Sequence, residues 1–271
     1  MDTNIFIFMN KNLLLWKYFY HYREIFDAIT TDLNFDLDLE YSAAVLLSSV
    51  LTSVQDPNIE SLLSNIESLE SEHLIPIFIT LSDSFKDHLV RITNIKKTPK
   101  ARPLIIAADA TGAALMDNGI VPNFVFSDLD GLTANQLQNL TEKGTYIIIH
   151  AHGDNMDKIK EFADVIKNNN RVIGTTQTEI TEVLINPGGF TDGDRSLFFF
   201  HHLLAPNIPF YLLGYNFNSV YVSEYKKSLI KTDRFDQYRE MKLKKLRWAE
   251  KSIQWLSDYS HRKIFFESLP E

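Results

Sequence analysis

Apolar residues follow two different periods along this chain, and the change of period divides it into three parts. Up to about residue 95 they recur at three- and four-residue intervals, which predicts helices over Ser42 to Leu51 and Ile59 to Leu69. Asp56-Pro57 marks the start of the second, since proline's missing N–H costs nothing in a first helical turn. One strand candidate, Ile75 to Leu81, comes next. From about residue 100 to 215 short continuous apolar runs alternate with helical patterns: Leu104–Ala108, Asn123–Phe126, Tyr146–Ile149, Val172–Thr175 and Phe210–Leu213. Runs of this kind between helices predict an α/β fold with a mostly parallel sheet covered by helices on both faces. After Tyr225 the helical period returns in a Lys/Arg-rich segment whose Leu246, Ala249, Ile253 and Leu256 form an apolar stripe. The expected organisation is a helical region over 1–74, an α/β catalytic domain over 75–225, and a C-terminal helix and tail over 226–271 packed on it.

Composition sharpens this picture in a few places. All ten glycines lie between Gly112 and Gly214, so tight turns and close backbone approaches concentrate in the α/β part. The 271 residues suffice for a substantial core, and 45% hydrophobic with 23% charged residues is ordinary for a globular protein. A formal net charge of −8 argues against a nucleic-acid partner. The absence of cysteine removes disulfides and thiolate metal sites and agrees with a cytoplasmic location. Leu13 to Tyr20 is the most apolar N-terminal stretch, but Lys17 interrupts it and Arg23-Glu24 comes soon after. It is read as a buried amphipathic helix, not a membrane span or signal core, so no membrane partner is expected.

The chemistry lies in the residues just beyond each apolar run. Asp109 comes after the run ending at Ala108, and Ser127-Asp128-Leu129-Asp130-Gly131 after the one ending at Phe126. His150-Ala151-His152-Gly153-Asp154-Asn155 comes after Ile149, and Thr191-Asp192-Gly193-Asp194-Arg195 precedes a further apolar helix pattern, Leu197 to Leu204. Taken singly, Asp109, Thr191 or Asp192 reads as a helix cap and Asp130-Gly131 as a turn. In a parallel sheet, however, the strand ends share one edge, and ligands bind there. Carboxylates gathered at that edge repel one another unless a cation sits among them. Oxygen donors dominate, which favours Mg²⁺ or Mn²⁺ over zinc, and with it phosphoryl transfer, a reaction catalysed by positioning and charge stabilisation. A zinc hydrolase using His150, His152 and Asp154 is the alternative from another enzyme class, weakened because Asn155 stands where a further histidine ligand is wanted.

These four motifs, in this order and spacing, resemble the archaeal 6-hydroxymethyl-7,8-dihydropterin pyrophosphokinases, a family similar in fold to the catalytic domain of thiamin pyrophosphokinase. The resemblance extends to Trp16, Tyr22-Arg23-Glu24-Ile25, Ala43 to Ser48 and the basic helix around Lys244-Lys245-Leu246. It implies transfer of pyrophosphate from ATP to the hydroxymethyl group of a reduced pterin, with release of AMP, in pterin cofactor synthesis. Carried onto this chain, it makes Asp128, Asp130 and Asp154 the Mg²⁺ ligands and these, with His152, the catalytic set. Asp109, Thr111, His150, His152, Asn155 and Arg195 become nucleotide-side groups, while Thr191, Asp192 and Asp194 shape the acceptor side. The partners implied are ATP and the pterin, with homo-oligomerisation left open. Two departures stand out. Thr80-Leu81-Ser82-Asp83-Ser84-Phe85 occupies the place of a glycine-containing phosphate turn, and Ala110 stands where glycine commonly follows the aspartate. The altered turn motivates one alternative, a degenerate nucleotide-binding module without catalysis, and a close variant of the main reading is a pyrophosphokinase for another acceptor such as thiamin.

Overall fold

The structure, a computed structural model, describes residues 20–52, 73–178, 183–222 and 235–270. The helix expected over Ile59 to Leu69, and the Leu13 to Tyr20 segment apart from Tyr20, lie outside the described residues. Two helices lead in: α1, described over 20–33, and α2, Leu37–Leu51. The α/β part runs β1 Leu74–Ile79, α3 Phe85–Ile95, β2 Arg102–Ala108, α4 Thr111–Asp117, β3 Phe124–Ser127, α5 Ala134–Glu142, β4 Tyr146–His150, α6 Met156–Lys167 and β5 Val172–Thr175. It continues with β6 Leu184–Ile185, α7 Asp192–Leu203 and β7 Phe210–Leu213. The long α8, Phe235–Ser260, and a short β8, Ile264–Phe266, complete the chain.

All eight strands are parallel, in the order β6-β5-β4-β3-β2-β1-β7-β8. Successive strand residues point to opposite faces, so the continuous runs feed two cores. Phe78, Ile106, Phe126 and Ile148 pack under α1, α7 and α8. Ile77, Ile105, Val125 and Ile147 pack under α2 to α6. The α/β architecture expected from periodicity is the one observed. Each of the six apolar runs forms a strand; β6 and β8, only two and three residues long, carry too little periodicity to be read from sequence. Among the described residues no helix is long and apolar enough to cross a membrane.

Two features of this frame position the site. Strand order reverses between β1 and β7, leaving a crevice at the C-terminal edge, where the flanking connections part to opposite faces. Helix α2 is drawn tight against the sheet over Gly174: a Cβ there would lie 2.5 Å from Leu51 Cδ1 and 2.3 Å from Leu184 Cδ2. Asp36 caps α2 by accepting hydrogen bonds from the Asp38 and Leu39 N–H groups, at 3.0 and 3.2 Å. The helix therefore begins at a fixed point, and its buried Glu40 is delivered to the strand edge.

Candidate active site

The loop after β3 is folded around the carboxylate of Asp109. Asp109 ends β2 in the left-handed region, at φ 49°, and its N–H donates to Phe126 O at 2.6 Å. Its Oδ1 accepts from Ser127 Oγ at 2.7 Å and from the Gly131 N–H at 3.2 Å. A side chain at position 131 has no room, because its Cβ would stand 1.7 Å from Asp109 Oδ2. Between these points Leu129 turns fully into the core at φ 70°, its N–H held by Ser127 Oγ at 2.8 Å. Two non-glycine residues in this conformation are a local cost that the surrounding bonds sustain. Asp128 Oδ1 in turn accepts from the Asp130 N–H at 3.1 Å. Asn155 ties this loop to the next strand, donating from Nδ2 to Asp128 O at 2.8 Å and to His150 O at 2.7 Å.

Asp109, Asp128 and Asp192 each bring a carboxylate oxygen within 4.8 Å of the other two, from the ends of β2 and β3 and the first turn of α7. Burial, and then the charges of Asp130 and Asp128, push the Asp109 carboxyl up to about 7. Asp192 is pushed well above the usual carboxylate range, by burial first and then by Asp128, Asp109 and Asp130. Three crowded acids are an energetic cost to the bare protein that a hard divalent cation would relieve, and an all-oxygen donor set suits Mg²⁺. Asp130 contributes to the field on both of these carboxyls but lies outside the three-oxygen cluster. So does Asp154, whose side chain is 84% exposed and whose Oδ2 stands 3.5 Å from His152 Nε2.

The same electrostatics sets a pH dependence. A carboxyl with a raised folded pKa favours the unfolded chain progressively once the unfolded carboxyl ionises near 3.8, until the folded one ionises near 7. In chelator, the melting temperature of Asp109→Asn relative to the unsubstituted protein should therefore climb from pH 4 to 7 and level off above. Thermal melts across that range check this; a difference independent of pH would show that Asp109 carries no such strain.

The histidines take different parts. His150 is buried with Nε2 3.3 Å from the Arg195 guanidinium, and burial together with that cation holds it well below its usual range, as the neutral ring. His152 is the opposite case. Burial favours its neutral form, but hydrogen bonds to Asp154 and Glu40 prevail and raise it to about 9. Its Nδ1–H donates to Glu40 Oε1 at 2.6 Å; the same oxygen accepts from the Gly153 N–H at 3.1 Å, and Oε2 accepts from Gln177 Nε2 at 2.6 Å.

Among the remaining residues singled out above, Arg195 is fully buried. It donates to Thr176 O, Gly188 O, Gly189 O and Gln177 Oε1 at 3.1 to 3.4 Å, so its guanidinium is committed to organising loops behind the site. Thr191 and Asp194 form the capping box of α7, the Asp194 carboxylate accepting from the Phe190 N–H at 2.7 Å and the Thr191 N–H at 2.6 Å. Thr111 Oγ1 accepts from the Leu81 N–H at 3.0 Å, which engages the backbone of the glycine-free turn with the protein itself.

Sequence reasoning overlooked Glu40 and Gln177. Glu40 did carry a signal: it lies three, four and seven positions before Ala43, Ala44 and Leu47, on the buried stripe of α2, where an unpaired charge is untenable. Gln177 carried none. The edge opens into a cavity of about 1140 Å³ lined by the acids, residues 80–84 and 214–219, and one face of α8. That volume is at the upper end of the usual range for a small-molecule site.

Comparison with known proteins gives the family. A family described as 6-hydroxymethylpterin diphosphokinase MptE-like matches residues 53–220. The chain is 33% identical over 249 residues to the 6-hydroxymethyl-7,8-dihydropterin pyrophosphokinase of Methanocaldococcus jannaschii, covering 90% of this chain and 95% of that one. It is 30% identical over 249 residues to the protein of the same name from Pyrococcus furiosus, covering 92% and 96% of the two chains. A third of that name, from Methanothermobacter thermautotrophicus, is 31% identical over 173 residues, or 64% of this chain and 69% of the relative.

Proposed function

This chain belongs to the MptE-like family of 6-hydroxymethylpterin diphosphokinases, and we propose that it transfers the terminal pyrophosphoryl unit of ATP to 6-hydroxymethyl-7,8-dihydropterin, in the cytoplasm and within pterin cofactor synthesis. The hydroxymethyl oxygen forms a bond to the β-phosphorus, and the bond from that phosphorus to the α,β-bridging oxygen breaks. AMP departs with the bridging oxygen, and the hydroxyl proton passes to base or solvent.

The observation that carries this reading is the convergence of Asp109, Asp128 and Asp192 in the large cavity of a chain from this family. Asp109, Asp128 and Asp192 are the proposed Mg²⁺ ligands, with Asp130 adding negative field. When bound, the ion supplies charge neutralisation for the phosphates. The protein groups do the positioning. Ser127 and Gly131 aim Asp109, Asn155 locks the β3 and β4 loops together, and Glu40 holds His152 as a cationic donor at the cavity edge. Asp154, carried over as a metal ligand by resemblance, is here the exposed partner of His152. A zinc hydrolase is disfavoured because, among the described residues, the one cluster with metal-ligand spacing contains no histidine.

A coupled assay for AMP, with dihydropterin and thiamin acceptors side by side, tests the proposal. AMP should accumulate with the pterin and cease in excess chelator. Acceptor-dependent ADP would overturn pyrophosphoryl transfer, and AMP release with thiamin alone would overturn the acceptor.

A further inference from the structure

One face of α8 looks into the cavity. Tyr238, Lys242, Lys245 and Ala249 all line it, at intervals of four, three and four residues, so they form a single helical stripe in the cavity that the acids also line. The lysines of this helix have different fates. Lys244, on another face, is held by Asp32, with its Nζ 2.9 Å from Oδ1 and donating to Asp32 O at 2.7 Å. Lys251 lies over the Trp248 ring at 4.1 Å, and Lys242 donates to Tyr238 Oη at 3.3 Å. Lys245 makes no ion pair or hydrogen bond among the described residues. Its Nζ stands 5.8 Å from the centre of the Phe35 ring, and that ring packs 5.4 Å from His152.

A half-buried ammonium facing a cavity, next to a second ring that can carry positive charge, is poorly accounted for by packing alone. His152 already has Glu40 and Asp154 as anionic partners, and the charge of Lys245 acts on Asp154 without an ion pair between them. Among the described residues, the cation left without a bonded partner in the cavity lining is therefore Lys245, on α8, whereas the acidic cluster comes from the ends of β2 and β3 and the start of α7. We infer that Lys245 is a phosphate-binding residue, taking the pyrophosphoryl part of the donor nucleotide in the cavity it shares with the acidic cluster. This rests on the pyrophosphokinase reading for the ligand's identity, though the anion site itself does not. A cation among the carboxylates, together with Lys245, would divide the charge of the moving group between them. A lysine suits this role because its ammonium is a point charge that can follow a group as it changes partners.

The test is calorimetry on the full chain with Mg²⁺ present, using inorganic pyrophosphate and, separately, AMP. Lys245→Met should weaken pyrophosphate binding by about tenfold, the size of one charge-assisted contact, and leave AMP binding unchanged. Lys245→Arg should recover most of the loss, and Lys244→Met, on the Asp32 side, should bind pyrophosphate as the unsubstituted protein does. Melting curves confirm that each variant is folded. Pyrophosphate affinity of Lys245→Met within twofold of the unsubstituted protein would overturn the assignment, as would an unsubstituted protein that binds no pyrophosphate. If the unsubstituted protein releases no AMP with the pterin, yet Lys245→Met still loses pyrophosphate, the anion site stands and the catalytic reading falls.

Discussion

Asp128→Asn and Asp192→Asn should each lower kcat by about a hundredfold or more, the scale of one electrostatic contact in a preorganised site. Each change keeps the shape of the side chain and removes one charge from the three-oxygen cluster. Neither should destabilise the metal-free protein, since Asp128 presses on both neighbouring carboxyls and Asp192 is itself raised by burial and by the charges of Asp128, Asp109 and Asp130. Asp154→Asn is the informative contrast. Its carboxylate is exposed and touches His152, so its loss should cost far less than either of the others. Steady-state kinetics and melting temperatures for the three variants decide between ligand sets. A severe defect in Asp154→Asn beside near-normal turnover in Asp192→Asn would return the metal to Asp128, Asp130 and Asp154.

The largest expected stability effect belongs to Glu40→Ala. The Glu40 carboxylate is buried and accepts from His152 Nδ1, the Gly153 N–H and Gln177 Nε2. Removing it strands three donors in the interior, one of them on an imidazolium. Breaking a buried pair in this way costs about 3–5 kcal/mol, or roughly 10 °C in melting temperature for a chain of this size. The pH profile separates this from a simple cavity. His152 has its folded pKa raised to about 9 against 6.5 unfolded, so its contribution is complete below pH 6.5 and is lost as pH rises through 9. The gap between Glu40→Ala and the unsubstituted protein should therefore narrow over that window. Thermal melts at pH 6 and pH 9.5 measure it, and an equal gap at both would show that the His152 charge is not involved.

Glu40 also marks the boundary between what could and could not be read before folding. A carboxylate on the apolar stripe of α2 announces a buried partner, but nothing local says that the partner is a histidine 112 positions later. The pairing exists because Gly174 lets α2 settle on β5, two strands from the acidic loop at β3. The acidic cluster shows the same limit. That Asp109, Asp128, Asp130, Asp154 and Asp192 would crowd one edge can be read from their places after strands and at a helix start. Which of them converge depends on where each carboxylate is turned. Asp109 is aimed by Ser127 and Gly131, and Asp192 by the register in which Leu197 to Phe200 bury α7 on the sheet.

The six longer strands and the edge their acidic motifs share were legible in the amino-acid order alone. Burial of strand residues on both faces requires a parallel sheet wrapped by helices, and in such a sheet the acidic and histidine motifs must share the C-terminal rim. The order of motifs was also sufficient to point to the family. Packing settled the remainder: the cluster formed by Asp109, Asp128 and Asp192, the Glu40–His152 pair, the engagement of Arg195 with backbone carbonyls, and Lys245 in the cavity lining. The difference is one of range. Periodicity and turn chemistry act over a few residues and are written locally. Charge pairing and metal geometry act over a few ångströms between segments that only the folded chain brings together.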